Sequence, residues 1–151
     1  MIADVVRDLA SEVDWVFFGM CPDKLRPYIA EFHPGVDISS YPQFLANLRL
    51  DLAVAPLEDN VFNACKSNLR LLEYGICGFP VIASDIVSYR GSLPVTLVKN
   101  RYRDWVEAIR GALAERNALR VEGQRLQAVV KREWMLSSDN LKLWQGAWLP
   151  D

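Results

Sequence analysis

The sequence predicts an α/β protein with a doubly wound parallel sheet, and three observations carry that expectation. Four short runs are predominantly apolar: Trp15 to Phe18, LDLAVAP centred on Leu52 to Ala55, PVIAS and PVTLV. Strands buried on both faces read this way, and such burial belongs to parallel sheets covered by helices on each side. Between the runs, apolar residues recur at helical spacing, so strand and helix alternate. Glycine and proline mark the changes of state, most clearly at Gly78-Phe79-Pro80.

The elements follow in order. Residues 3–12 carry Val5, Val6, Leu9 and Ala10 at helical spacing and predict a first helix; the run from Trp15 to Phe18, closed by Gly19, predicts the first strand. Asp23 to Ile29, opened by a Pro-Asp pair, predicts a brief helix. Phe32-His33 predicts a short strand, and Pro42 to Leu48 a helix with Phe44, Leu45 and Leu48 on one side. After the LDLAVAP strand, Ser67 to Cys77 predicts a helix with Gly78 as its terminal cap and Pro80 just beyond. PVIAS and PVTLV complete the strands. A long helical segment from Asp104 carries Trp105, Val106, Ile109 and Leu113 and, after an interruption expected at Gly123, Leu126, Val129 and Val130. A last helix sets Leu141, Trp144 and Trp148 at i, i+3 and i+7; this stripe is expected to pack on the chain's own core, the alternative being that it docks on a separate domain.

Length and composition narrow the function classes. The 151 residues suit one domain with a real core, and a net charge of -2 does not suggest nucleic acid as a partner. No membrane span is expected, because no run of 18 or more apolar residues occurs. The opening IADVVRDLASEVD carries acids and an arginine that do not fit a secretory segment, so a cytoplasmic location is expected. Three widely spaced cysteines, Cys21, Cys65 and Cys77, form no CxxC pair and point to reduced thiols rather than a disulfide framework or a zinc site. Cys77 reads as a small buried hydrophobe, and the single histidine, His33, as structural.

In parallel α/β sheets, ligands sit beyond the carboxyl ends of the strands, at helix N-termini. That places the loop after Pro56 and the start of the Ser67 helix in the expected site. A helix N-terminus offers unpaired N–H groups and a partial positive charge, and Lys66, Ser67 and Asn68 add a cation, a hydroxyl and an amide there. Glu73, six residues after Ser67, can accept two hydrogen bonds from a polyol such as a ribose. An anion at the mouth and a diol further along suit a nucleoside diphosphate. Plainer roles stay open: Ser67 as an N-cap, Lys66 as a solvated charge, Glu73 as an i, i+3 partner of Arg70, and Asn63 and Asp85 as turn residues.

The run CKSNLRLLEYGICGFPVIASD resembles the signature segment of the carboxy-terminal nucleotide-binding domain of GT-B glycosyltransferases, group 1 or family 4-like. The preceding DLAVAPLEDNVFNACKS resembles a common variant of the strand and loop before it, so the likeness covers Leu50 to Gly91 in detail. It implies a Rossmann-like half of a GT-B enzyme, residues 1–151 forming a single nucleotide-sugar-binding domain without the amino-terminal acceptor domain. By position it implies that Glu73 binds the ribose hydroxyls of a donor such as a UDP-sugar. It further implies that Lys66, Ser67 and Asn68 bind the diphosphate, and that the loop from Pro56 to Asn63 lies by the sugar and base. Neither a metal nor a further cofactor is expected, since cationic groups and the helix dipole meet the diphosphate. Cys65 stands where retaining members carry a second glutamate, so that contact to the donor sugar is not carried over. No catalytic residue is assigned, because in this layout the base often belongs to the other domain. The implied role is donor binding for sugar transfer in cell-surface polysaccharide or glycoconjugate synthesis, with turnover requiring the amino-terminal domain as partner.

The same sequence leaves two other readings. A non-enzymatic α/β interaction module would use the Trp144 and Trp148 helix to bind a protein; a phosphate-receiver version lacks the required acidic pair after its first strand. A dehydrogenase-type dinucleotide domain lacks the GxGxxG fingerprint, and no P-loop lysine motif is present.

Overall fold

Residues 2–149 are described by a computed structural model, in which the apolar runs become parallel strands. Strand β1 (Val16–Gly19) pairs with β2 (Glu31–Pro34), and β3 (Ala53–Ala55), β4 (Val81–Ser84) and β5 (Thr96–Val98) pair in that order. The protein is therefore α/β with two small parallel sheets, of two and three strands, where one continuous sheet was expected. The break falls between β1 and β3. β3 has three residues and is reached through Arg49, whose φ of 50° lies in the left-handed region. A cavity of about 370 Å³ touching Val16, Leu52 and Val54 lies at the break.

Strand alternation divides the interior into two cores, because successive side chains point to opposite faces. Ala53, Ala55, Val81 and Ala83 face one core, with Leu71 of α4 (Leu69–Ile76) and Leu126 and Val130 of α6 (Arg116–Glu133). Val54, Ile82 and Val98 face the other, with Val5, Val6 and Leu9 around α1 (Ile2–Asp8) and Trp105, Val106 and Ile109 of α5 (Tyr102–Ala114). Helices thus cover both faces of the three-stranded sheet, which is why its strands are mostly apolar. Phe18 of β1 packs on the first core and Phe17 on the second, so the smaller sheet takes part in both.

Several expected elements shift. The first helix ends at Asp8 rather than residue 12, and the Asp23–Tyr28 segment is 3₁₀. Pro27 lies inside that segment and has no N–H to extend an α-helix. Helix α2 spans Tyr41–Asn47, and a short α3 (Val61–Ala64), absent from the sequence reading, precedes α4. Gly78 takes φ 81° just past α4, as its capping position requires, and donates its N–H to the Gly75 carbonyl.

The long carboxyl-terminal helix breaks at Glu115 and not at Gly123. Gly123 is buried inside α6 at the point where that helix meets the end of α4. A Cβ built there would lie 2.2 Å from the Gly78 carbonyl oxygen, so the glycine is required by close approach of backbones. The Trp stripe also differs from its expectation. On α7 (Ser138–Trp148), Leu141, Trp144 and Trp148 are 42%, 53% and 73% exposed, so this face does not pack on the core. The two indoles stack on each other instead, 6.4 Å apart and within 3° of parallel. Among the described residues, no helix is long and apolar enough to cross a membrane.

The two helical glycines Gly123 and Gly111 make a matched test. Gly123→Ala forces a methyl group onto the backbone of Gly78 and is expected to lower unfolding free energy by about 1–3 kcal/mol. Gly111→Ala, on the exposed side of α5 with nothing within 4 Å of the new Cβ, is expected to be neutral or stabilising by up to about 1 kcal/mol. Urea unfolding followed by far-UV circular dichroism checks both.

Candidate functional site

Three strands of the larger sheet end at one place, and a closed ring of hydrogen bonds holds those ends together. Ser84, the last residue of β4, is fully buried and its hydroxyl donates to Asn100 Oδ1 at 2.7 Å. The same hydroxyl accepts the Leu57 N–H at 2.8 Å, and Asn100 Nδ2 donates to the Leu57 carbonyl at 2.8 Å. Leu57 follows β3 and Asn100 follows β5, so the ring ties the exits of all three strands. Every polar group in it has a partner, as burial demands. The sequence reading missed this ring. Its available signal was a serine ending an otherwise apolar buried strand, which needs a partner wherever it sits.

Over these strand ends lies a cleft of about 400 Å³. Its floor is Val54 to Leu57, and its wall is the start of α4, with Lys66, Ser67, Arg70, Glu73 and Tyr74, closed by Tyr89 after β4. The structure therefore brings Lys66, Ser67 and Glu73 together in the expected place, at the carboxyl ends of β3 and β4.

The other two predicted residues stand elsewhere. Asn63 is buried in α3, where its N–H donates to the Asn60 side chain at 2.9 Å and its Nδ2 donates to the Glu58 carbonyl at 2.8 Å. It closes the loop before the cleft and does not line it. Asn68 caps α4 by backbone position, without a side-chain capping bond, and is likewise not part of the lining. Ser67 Oγ accepts the Leu69 N–H at 3.4 Å, a long capping contact. Asp85 pairs with Arg90 at 2.6 Å, which holds its carboxyl below the usual carboxylate range.

The electrostatics of the wall centre on three side chains. Tyr41 donates its phenol O–H to Glu73 Oε2 at 3.0 Å and accepts from Arg70 Nη1 at 3.2 Å. Arg70 Nη1 is also 3.7 Å from Glu73 Oε2, so the i, i+3 pairing open in the sequence is formed. Both partners meet the same carboxylate oxygen; among the described residues, no hydrogen bond reaches Oε1. Burial pushes the Tyr41 phenol up to about 12, with Glu73 adding to the shift and Arg70 opposing it. Burial works against the charge on Arg70, yet its neighbours Tyr74, Tyr41 and Glu73 together raise its pKa. Lys66 is exposed, its ammonium 4.7 Å from the Phe62 ring centroid.

The remaining singled-out residues are plain. Cys21 is buried, Cys65 exposed and Cys77 half-buried, all as free thiols. Burial and then Glu73 push the Cys77 thiol up, which makes it a poor nucleophile. His33 Nε2 lies 2.9 Å from Glu31 Oε2, away from the cleft. Chemically, the site offers two cations and a helix mouth to an anion, and one carboxylate to a hydroxyl donor.

Searches against protein-family models, curated proteins and solved structures found no match to this chain.

Ser84→Ala leaves the Leu57 N–H and Asn100 Oδ1 without their buried partner and is expected to cost about 1–3 kcal/mol of stability, read by urea unfolding. The Tyr41 phenol makes a pH test. Below pH 10 it is protonated in both states and its contribution is complete; as pH rises to about 12 the unfolded chain ionises first and stability is lost. Tyr41→Phe removes that proton, so its stability should fall less steeply over this window in denaturant titrations. Tyr74 and Tyr89, also raised by burial, leave a residual slope.

Proposed function

We propose that this chain is the donor-binding domain of a GT-B glycosyltransferase, a Rossmann-like unit that holds a nucleotide-diphosphate sugar in the cleft beside α4. The observation that carries this reading is the placement of Glu73 two turns along a cleft wall whose mouth holds Lys66 and Ser67. A diphosphate gains from the ammonium, the Arg70 guanidinium and the N–H groups of the first turn of α4. A ribose diol gains from a carboxylate whose second oxygen is left to it. The resemblance of Leu50 to Gly91 to the family segment supports the same assignment. The exposed Cys65, at the family's second-glutamate position, contributes a thiol and no carboxylate. In this reading sugar transfer needs the acceptor domain, and the chain alone binds donor without turning it over.

One observation favours a second reading, a non-enzymatic protein-interaction module. The stacked Trp144 and Trp148 on exposed α7 form an aromatic face of the kind enriched at interfaces. Light scattering after size exclusion tests it: self-association abolished by Trp144→Ala supports the module, and a strict monomer removes its main support.

Calorimetric titration with UDP and GDP is the test of the donor site. One of them is expected to bind, with Glu73→Ala weakening it at least about 10-fold while the fold stays intact by circular dichroism. Absence of binding by both at millimolar concentration contradicts the reading.

A further inference from the structure

Beyond the groups that would touch a ligand, the cleft wall contains a residue that does not line the cleft yet fixes those that do. Tyr41 opens α2, which packs in the same core as α4, and reaches Glu73 across 32 residues of sequence. Its ring is held by stacking: Phe18 lies parallel to it with centroids 5.4 Å apart, and Phe44 stacks on Phe18 at 4.8 Å. A phenol seated this way has little rotamer freedom left to lose. Its O–H is then fixed in place against Glu73 Oε2, while its oxygen receives Arg70 Nη1.

We propose that Tyr41 is a positioning residue for the nucleotide site: it locks the Glu73 carboxylate with Oε1 turned to the ribose diol and keeps Arg70 beside it for the diphosphate. The inference rests on the donor-binding reading and adds to it the residue that sets the geometry. The chemistry follows from lone pairs. A carboxylate oxygen has room for two donors, so Oε2 keeps the phenol while taking one ribose hydroxyl, and Oε1 takes the other. Without the phenol, Glu73 rotates about its side-chain torsions and its nearest fixed charge is Arg70, at 3.7 Å on its own helix. Carboxylate and guanidinium then neutralise each other, and both ends of the ligand lose a partner.

The selective readout is the ribose. Tyr41→Phe keeps the ring and its stacking on Phe18 and removes only the hydroxyl. Binding is measured calorimetrically with UDP and GDP, and with the 2′,3′-dideoxy form of whichever binds. The variant should lose about 10-fold in affinity for the ribonucleotide and distinctly less for the dideoxy form, which has only its diphosphate contact to lose. A merely structural role would weaken both ligands alike. If the variant proves too unstable to titrate, the natural protein labelled with ¹³Cζ-tyrosine serves instead: the Tyr41 resonance should move further on adding the ribonucleotide than on adding the dideoxy form. Equal weakening of both ligands, no weakening, or a Tyr41 resonance indifferent to the ribose overturns the positioning role while Glu73→Ala still upholds the site. Binding of neither UDP nor GDP overturns the site and this inference together.

Discussion

The cleft depends on a ring of three hydrogen bonds buried beneath it. In a parallel sheet the carboxyl ends of the strands are where the ladder stops, and each exit leaves backbone groups in search of partners. Here β3, β4 and β5 solve that with one hydroxyl and one amide: Ser84 and Asn100 satisfy both backbone groups of Leu57 and each other. The chain leaving β3 is thereby fixed to the exits of its neighbours. Pro56 and Leu57 form the cleft floor because of that tie, and the loop from Glu58 to Asn63 departs from a defined point. A second tie, Asn63 to Glu58, then closes that loop and sets where α4 begins.

On the other side of the cleft, the wall depends on how closely helices can approach. Gly75 of α4 meets Leu126 and Val130 of α6, and Gly123 of α6 meets the backbone of Gly78. At both points a Cβ would fall within 3.0 Å of an existing atom, so α4 is seated on the core by two missing side chains. Its buried stripe is narrow, and its opposite face is free to carry Arg70 and Glu73. These two charges are of opposite sign one turn apart, and left alone they would pair only with each other. Tyr41 enters from α2, its ring stacked on Phe18 of the smaller sheet, and makes the pair a triad. In the proposed function this is what allows one short helix to serve an anion and a diol at once.

Much of the fold was legible because burial on both faces leaves so plain a pattern. Every strand among the described residues is legible in the sequence, including the short Phe32-His33 pair, and so is Gly78 as the cap of α4. What escaped was tertiary. The break between the two sheets turns on a three-residue β3 and the left-handed Arg49, neither of which alters hydrophobic periodicity. Gly123 looked like a helix breaker because a glycine within a helical pattern costs helix propensity; its reason is a backbone contact with a residue 45 positions away in sequence. The Trp stripe has the spacing of a core face, and spacing cannot say whether a partner surface exists. Within the site, Lys66, Ser67 and Glu73 were legible since they share one local segment. Ser84, Asn100 and Tyr41 were not, as their roles exist only once distant elements meet. Asn63 and Asn68 belonged to the right stretch of chain and point to other duties.

The central claim is that the cleft beside α4 receives a nucleoside diphosphate. Amide chemical-shift mapping of the isotope-labelled protein tests it most directly, by adding UDP and then GDP to the same sample. The account predicts that one of them moves the resonances of Leu57, Ser67, Arg70 and Glu73 along the cleft and leaves those of α7 in place. Shifts confined to α7 or to the cavity between the sheets, or no shifts with either nucleotide, would contradict it.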